Sequence, residues 1–518
     1  MKKFNKNYIM YLIISFFISV SINLKTSINY KKKTPNYFIS KFQFDIVFFF
    51  RIFILSIIIV LLLLTLSKLI KKIRIKECDE YNNKRLAIIF FVVLFFNNLL
   101  FLLTYYPGSN MNDTLLIIKS PIGMSSQHPL IYNLLLSGNY HVFYKIFQNP
   151  NISFFLTGVG QMIIIDTILT YLLVWFNKTL KNKLTTTILF IYFGFLPIIS
   201  NYNTALIKDS LFASINLLLI PLIYKIINTK GKCLSNSRFL FILLSVTLTI
   251  SLIRNNGIYI IIMLFIILSI KYKKNFKKII TILIIVIILS KIPTFIAEKQ
   301  LFQEKIGVPI QQISYVVKYN EKSISNKDKM YINKIMNLND IKENYNPYTV
   351  DTIKWHSKFN RLYLNNTKEK FIITWINIMK NNFVEYIKSY LLMTYELYSV
   401  EKFNPVQSRF LGLDTGDEKI EGLKHQSIIF KNTEKKLNHF YEKTTVYFSN
   451  GTCFLILLIL LFYIIYINKK EYLIFTIPLL GTWLTLMISA PISYALRYML
   501  IYVYYLPIII LIILLKQN

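Results

Sequence analysis

The sequence is poor in cysteine and in charged residues. Only 3 of its 518 residues are cysteine, and they lie far apart without metal-ligand spacing, which excludes a disulfide framework and a zinc site of the usual kinds. Charged residues make up 16% of the chain, against about 25% in soluble domains, while 54% of the residues are hydrophobic. We therefore expect a membrane protein rather than a water-soluble one.

Acidic residues are scarce relative to basic ones. There are 60 Lys+Arg and 25 Asp+Glu, which gives a formal net charge of +35. In a soluble protein this excess would indicate a nucleic-acid partner. Here the basic residues alternate with long apolar runs, so we expect no nucleic acid and assign the basic clusters to loops that orient membrane spans.

Long apolar runs define the expected fold. A helix needs about 20 mostly apolar residues to cross a bilayer. About twelve such windows occur, and they predict an all-α polytopic membrane protein with a mostly helical extracytoplasmic loop domain. The first window follows a basic start without a small-residue cleavage site, so we expect an uncleaved span. The windows are 8–24, 44–67, 86–104, 152–176, 184–200, 210–227, 239–253, 258–270, 279–296, 452–467, 472–490 and 498–515.

Basic loops alternate along the chain and predict its orientation in the cell membrane. By the positive-inside rule, both termini are expected in the cytoplasm, with the lysine-rich loop 25–43 as an exception. The predicted organisation has four parts. They are two N-terminal spans with a basic cytoplasmic loop (1–85), a membrane core with a first outward loop at 105–151 (86–296), an extracytoplasmic domain (297–449) and three C-terminal spans (450–518).

Most carboxylates fall in the second outward segment. Residues 297–449 hold 17 of the 25 Asp and Glu, which leaves eight for the rest of the chain. One of these eight, Asp166, sits in the middle of a span, where an ionisable group indicates either a function or a neutral Asp bonded to a neighbouring helix.

Asp113 and Asp209 are expected at outer ends of spans, where both could edge one outward cavity. A helix N-terminal acid, favoured by the helix dipole, is the alternative for each. His128 lies in the same loop as Asp113 and is followed by Pro129. It is either a site residue or a satisfied loop histidine.

Lys208, Arg254 and Arg497 supply positive charge at the same predicted level. Arginine can clamp a phosphate bidentately, although Arg497 could equally extend towards lipid headgroups. Such a cavity beside lipid suits glycosyl transfer from a polyprenyl-phosphate carrier. Asp113 would deprotonate the acceptor hydroxyl, and the cations would stabilise the leaving phosphate. We expect partial burial to raise the pKa of Asp113 towards that of a useful base.

The order of several short motifs resembles the GT-C glycosyltransferases, in particular bacterial relatives of protein mannosyltransferases and lipid A sugar transferases. These motifs are YPGSNMND, SSQHPL, LIKDSLF, IRNNGIY, VPIQQIS and LRYML, spread over about 105–503. In that superfamily an acid of the first outward loop is catalytic, and Asp113 matches its place. The superfamily often has two adjacent acids there, whereas this chain has Asn112-Asp113.

The resemblance implies an undecaprenyl-phosphate-linked sugar donor and a cell-envelope acceptor, and it leaves a divalent cation open. On this reading Asp113, Asp209 and His128 are the catalytic candidates, and Lys208, Arg254 and Arg497 bind substrate. The alternatives are a flippase of lipid-linked sugars, a polysaccharide polymerase or ligase, or a non-enzymatic scaffold. The polymerase reading would rely on His356, Arg361 and Arg409.

Overall fold

The structure is a computed structural model that describes residues 6–34, 37–42, 45–72, 80–400, 412–413, 419–426, 428, 434–439 and 448–516. Helices make up 81% of it, so the predicted all-α class is confirmed. Arg409 and Cys78 lie outside the described residues, and Cys233 and Cys453 are buried.

The named helices run in sequence order from the N-terminal span to the last one. They are α1 (Lys6–Ser27), α2 (Ile46–Lys72), α3 (Asn83–Thr104), α4 (Asn112–Lys119), α5 (Leu130–Phe147), α6 (Pro150–Leu180), α7 (Lys183–Phe195), α8 (Pro197–Thr204), α9 (Lys208–Leu217), α10 (Leu219–Asn228), α11 (Ser237–Ile253), α12 (Gly257–Lys271), α13 (Phe276–Lys291), α14 (Phe302–Lys305), α15 (Gly307–Tyr319), α16 (Asn326–Ile335), α17 (Leu338–Asn344), α18 (Asp351–Lys354), α19 (Arg361–Asn366), α20 (Lys368–Asn381), α21 (Phe383–Met393), α22 (Asn450–Tyr466), α23 (Ile477–Ser489) and α24 (Leu500–Leu515).

Seven helices in the described part of the chain are long and apolar enough to cross a membrane. The pair α7 and α8, bent by 55°, passes the same test when taken together. Four shorter apolar helices lie at α1, α11, α12 and α22. Each of the predicted windows coincides with one of these helices or with the bent pair, because an uninterrupted apolar run leaves the backbone no other way to satisfy its hydrogen bonds in lipid.

The apolar helices differ in how much of their surface they bury. Helix α24 lies in the middle of the bundle, where Tyr504 and Tyr505 are completely buried. Helix α2 lies at the edge and exposes Phe50 and Phe53 to 64% and 65%. An apolar surface of this kind needs lipid or a partner to cover it, which agrees with a membrane protein.

The segment from Phe302 to Met393 forms a second body with a hydrophobic core of its own. Its helices, α14 to α21, surround Val316, Val317 and Ile353, which are all buried. The sequence predicts a mostly helical domain here, and the described part of it is helical.

The two long segments predicted to lie outside the membrane pack against each other. The Gln426 amide donates to the Tyr106 carbonyl (2.8 Å), and the Tyr105 hydroxyl donates to the side chain of Asn438 (2.6 Å). The Glu298 amide donates to the Ser125 hydroxyl (2.8 Å). Segment 105–151 and the described part of 297–449 therefore share one end of the bundle, which we call the loop face.

The strands are short and were not predicted. Two of them, β1 (Ile28–Thr34) and β2 (Tyr37–Phe42), form an antiparallel hairpin between α1 and α2. The other two, β3 (Ser109–Asn110) and β4 (Ala205–Leu206), form a parallel pair of two residues each. This second pair joins the loop before α4 to the loop before α9, and it positions the site described below.

The contact between α22 and the backbone of Ser399 generates a stability prediction. A Cβ on Gly451 would lie 1.7 Å from the Ser399 carbonyl oxygen, so Gly451→Ala must push backbone apart. We expect a loss of about 1–3 kcal/mol of stability. Gly160→Ala in α6 is the matched control, because a Cβ there meets nothing within 4 Å and the change should stabilise by about 0.5–1 kcal/mol. Thermal unfolding in detergent measures both, and equal melting temperatures for the two variants would contradict this packing.

Candidate functional site

Two chain segments that are distant in sequence meet at the loop face. Ser109 pairs with Ala205 and Asn110 with Leu206, and each strand leads directly into a helix. The Thr114 hydroxyl at the start of α4 donates to the Leu206 carbonyl (3.0 Å), which ties the two connections together. The N-termini of α4 and α9 therefore lie side by side.

Each of these helices carries an acid in its first turn, Asp113 in α4 and Asp209 in α9. The partial positive charge of a helix N-terminus favours a carboxylate at that position. The helix N-terminal role that the sequence left open is thus present at both positions. This role does not account for all the contacts of the two acids, because both carboxylates also contact side chains outside their own helices.

His128 links the two helix starts. Its Nε2 lies 3.3 Å from Oδ2 of Asp113, and its Nδ1 lies 2.5 Å from the Lys208 ammonium. An ammonium can only donate, so Nδ1 is the acceptor and Nε2 carries the proton that His128 shares with Asp113. The ring is therefore held as one tautomer of the neutral imidazole.

Asp209 pairs with Arg254, which lies in the turn between α11 and α12. The carboxylate and the guanidinium are 3.3 Å apart, and both side chains are buried. Arg254 also donates to the Tyr498 carbonyl (3.3 Å), and its guanidinium lies 5.1 Å from the centre of the Phe212 ring. A buried carboxylate requires such a partner, because an isolated buried charge is very costly.

Arg497 lies in the Leu496–Met499 turn just before α24. Its guanidinium contacts the Met111 sulfur, donates to the Tyr498 hydroxyl (2.8 Å) and lies 4.6 Å from the centre of that ring. Within the described part of the chain, no carboxylate forms an ion pair with it. Arg497 is therefore a cation held by neutral groups beside Asp113.

Tyr498 was not among the predicted site residues, and it touches both arginines. Its ring centre lies 5.6 Å from the Arg254 guanidinium and 4.6 Å from that of Arg497. A tyrosine next to an arginine near the start of a span was a visible signal in the motif LRYML. It was missed because an aromatic residue at that depth is ordinarily explained by the membrane interface.

All six predicted site residues therefore belong to one contact network. Asp113, Lys208 and Arg497 are partly exposed, with 34% of the Asp113 side chain accessible. The other three, His128, Asp209 and Arg254, are buried. The accessible groups form the surface of the cluster, and the buried ones hold them in place.

The protonation states follow from the contacts. Burial acts to raise the pKa of Asp113, but the hydrogen bond with His128 and the charges of Arg497 and Lys208 outweigh it and lower the pKa below its ordinary 3.8. Burial and the charge of Lys208 lower the pKa of His128 below 6.5, against the effect of Asp113. The expected rise in the pKa of Asp113 is therefore wrong in direction, because His128 of the same loop bonds to the carboxylate and the cations Arg497 and Lys208 lie nearby.

The cluster carries excess positive charge at neutral pH. With His128 neutral, three cations face two carboxylates, and one positive charge is left over. Carboxylates and histidines alone do not form a group that could hold a metal ion, since no three His, Cys, Asp or Glu residues of the described chain come close enough together. The arrangement is instead suited to an anion that approaches Arg497 and Lys208 next to the Asp113 carboxylate.

The remaining predicted positions lie apart from this network. Asp166 is completely buried and accepts a hydrogen bond from Asn98 of α3 (2.7 Å). This is the bond to a neighbouring helix that the structural explanation of an Asp in the middle of a span requires. His356 accepts a hydrogen bond from the Lys358 amide, and Arg361 lies 4.8 Å from the centre of the Trp355 ring. These two residues, on which the polymerase reading would rely, are engaged in local contacts between α18 and α19.

The fold and the cluster define a helical membrane protein with a charged site at its loop face. The chain belongs to a family of unknown function, DUF6020, which matches residues 53–518. No curated protein and no solved structure matches the chain significantly.

The lowered pKa of His128 predicts how stability depends on pH. At pH values between the lowered pKa of His128 in the folded protein and 6.5, the unfolded chain binds more protons than the folded one. The stability that the neutral His128 contributes is therefore fully present above pH 6.5 and is lost as the pH falls. Acidification from pH 7.5 to 5.5 should destabilise the protein by at most about 1.4 kcal/mol per pH unit through this group.

The variant His128→Gln should show a shallower loss of stability over the same range, measured by thermal unfolding in detergent. His141→Gln is the matched control, because it removes a histidine of the same loop that lies outside the cluster. An unchanged pH slope in His128→Gln would show that His128 is not held as a neutral donor to Asp113.

Proposed function

We propose that the protein is a membrane glycosyltransferase that transfers a sugar from a polyprenyl-phosphate donor to an extracytoplasmic cell-envelope acceptor. The observation that carries the proposal is the accessible Asp113 carboxylate beside Arg497, a cation without a carboxylate partner in the described chain. A base next to an anion site is the minimum that such a transfer needs. The resemblance to GT-C glycosyltransferases points the same way.

The proposed topology has about twelve spans in the cell membrane, with both termini in the cytoplasm. Seven long helices, the bent pair and four shorter apolar helices supply the spans. The basic loops between α6 and α7 and between α12 and α13 then face the cytoplasm, as the positive-inside rule requires. The loop face would lie outside, where lipid carriers rather than nucleotides supply sugars.

In the proposed reaction, the acceptor hydroxyl oxygen forms a bond to the anomeric carbon of the donor sugar. The bond between that carbon and the phosphate oxygen breaks, and the polyprenyl phosphate leaves with the electron pair. The hydroxyl proton passes to Asp113. Because the pKa of Asp113 is held low, the carboxylate takes the proton late, when the new bond has already made the hydroxyl acidic.

The cations act on the leaving group. Arg497 and Lys208 lie near Asp113, and in the proposed reaction both donate hydrogen bonds to phosphate oxygens as negative charge develops there. His128, Asp209 and Arg254 are buried and act through their neighbours. His128 orients Asp113, and the Asp209–Arg254 pair fixes the positions of Lys208 and Tyr498.

The direct test uses membranes that contain the protein and a panel of radiolabelled undecaprenyl-phosphate hexoses. Asp113→Asn should reduce transfer about 10²–10⁴-fold, because it removes the proton acceptor at nearly constant shape. The matched control is Glu298→Gln, an exposed acid of the same loop face. Full transfer by Asp113→Asn would remove Asp113 from the mechanism, and movement of label across vesicles without a new glycosidic bond would indicate a flippase.

In the same assay, Arg497→Ala separates donor from acceptor binding. The KM for the donor should rise roughly 10–100-fold with little change in that for the acceptor, because a charge-assisted phosphate contact is lost. Arg238→Ala, an exposed arginine at the start of α11, controls for loss of charge alone. A rise confined to the acceptor KM would place the acceptor, not the phosphate, at Arg497.

A further inference from the structure

The second body, from Phe302 to Met393, contains a polar cleft that the charged cluster does not use. It lies between the start of α16 and the C-terminal half of α20 and has a volume of about 320 Å³. This volume is at the lower end of the range of small-molecule pockets, about 300–1,000 Å³. Its polar lining consists of Ser323, Ser325, Asp328, Asn377, Lys380 and Asn381.

One wall of the cleft offers hydrogen-bonding groups without internal partners. Asn377 and Asn381 are four residues apart on α20 and therefore lie on one face of the helix. Both are exposed, as is Lys380. Within the described chain none of these three side chains makes a hydrogen bond or an ion pair, so two amides and one ammonium remain available to a ligand.

The opposite wall supplies a carboxylate and hydroxyls. Asp328 is 8% exposed and uses one carboxylate oxygen to accept a hydrogen bond from the Ser325 hydroxyl (2.6 Å). Its other oxygen makes no hydrogen bond within the described chain. The Asp328 amide in turn donates to the Ser325 oxygen (3.2 Å), which fixes this wall at the start of α16.

Buried hydrogen bonds of Asn382 hold the two walls together. Its Oδ1 accepts from Asn320 Nδ2 (2.7 Å) and from the Ser323 hydroxyl (2.8 Å), and its Nδ2 donates to the Ile378 carbonyl (3.0 Å). The segment before α16 and the end of α20 are thus fixed relative to each other. A pre-formed cleft loses little entropy when it binds a ligand.

The chemistry of the lining identifies the class of ligand. One ammonium and one carboxylate cancel, so the cleft has no excess charge for a phosphate, and a single carboxylate is a poor cage for a divalent cation. The amides and hydroxyls can both donate and accept hydrogen bonds, and the carboxylate accepts them. Such a set suits a ligand that is covered with hydroxyl groups. We propose that this cleft binds a neutral saccharide of one or two sugar rings.

The site goes beyond the proposed transferase activity and does not depend on it. If the transfer reaction is correct, the cleft would hold the saccharide of a glycan acceptor in the same predicted outward segment as Glu298, whose amide bonds to Ser125 in the loop of Asp113. Saccharide binding can be measured without any donor or turnover, so the two proposals fail separately.

The test is saturation-transfer NMR on the full chain in a detergent without a sugar headgroup, because a maltoside would compete for the cleft. The probes are lactose, maltose and N,N′-diacetylchitobiose. At least one of them should receive saturation from the protein. In the double variant Asn377→Ala/Asn381→Ala, which removes two exposed amides, affinity should fall roughly tenfold or more, as expected for two lost hydrogen bonds.

The matched control is Asn339→Ala/Asn365→Ala, which removes two exposed asparagines of α17 and α19 that do not line the cleft. It should bind as the unmodified chain does. The absence of saturation transfer to all three probes would overturn the proposal. Binding that survives in the cleft variant, or is lost equally in the control, would overturn it as well.

Discussion

The site depends on one short backbone contact, the parallel pairing of Ser109-Asn110 with Ala205-Leu206. It brings the first turn of α4 next to the first turn of α9, although His128 and Lys208, which bridge them, are 80 residues apart in sequence. Without this register, Asp113 and His128 would not have Lys208 nearby. The backbone pairing therefore sets the electrostatics of the cluster.

The electrostatic arrangement is costly for folding and is better explained by function. Burying an ion pair such as Asp209–Arg254 brings little net stability, because desolvation offsets the attraction. Arg497 is held by a sulfur, a hydroxyl and an aromatic ring, without a carboxylate partner in the described chain. Ionisable groups gathered in this way, with perturbed protonation at Asp113 and His128, are typical of functional sites.

The sequence predicted the positions of the apolar helices well, because each one is a long run whose backbone can be satisfied only by a helix. It also selected six residues that belong to one contact network, because ionisable side chains are scarce at the outer ends of the apolar spans and stand out there. The sequence could not predict which of these side chains pair, because the pairs are tertiary contacts between distant parts of the chain. A strand of two residues has no periodic pattern that a sequence could reveal, and Tyr498 resembled an aromatic residue of the membrane interface. The lowered pKa of Asp113 depends on the hydrogen bond with His128 and on the charges of Arg497 and Lys208, which only the folded chain brings together.

The account requires the loop face, and with it Asp113, to lie outside the cytoplasm, where a lipid-linked sugar is the available donor. Single cysteines in place of Glu298 and Lys178, both exposed, test this in a chain freed of its three native cysteines. With a membrane-impermeant maleimide on intact cells, we expect the cysteine at 298 to be labelled and the one at 178 only after permeabilisation. Labelling of 178 but not 298 in intact cells would contradict the account.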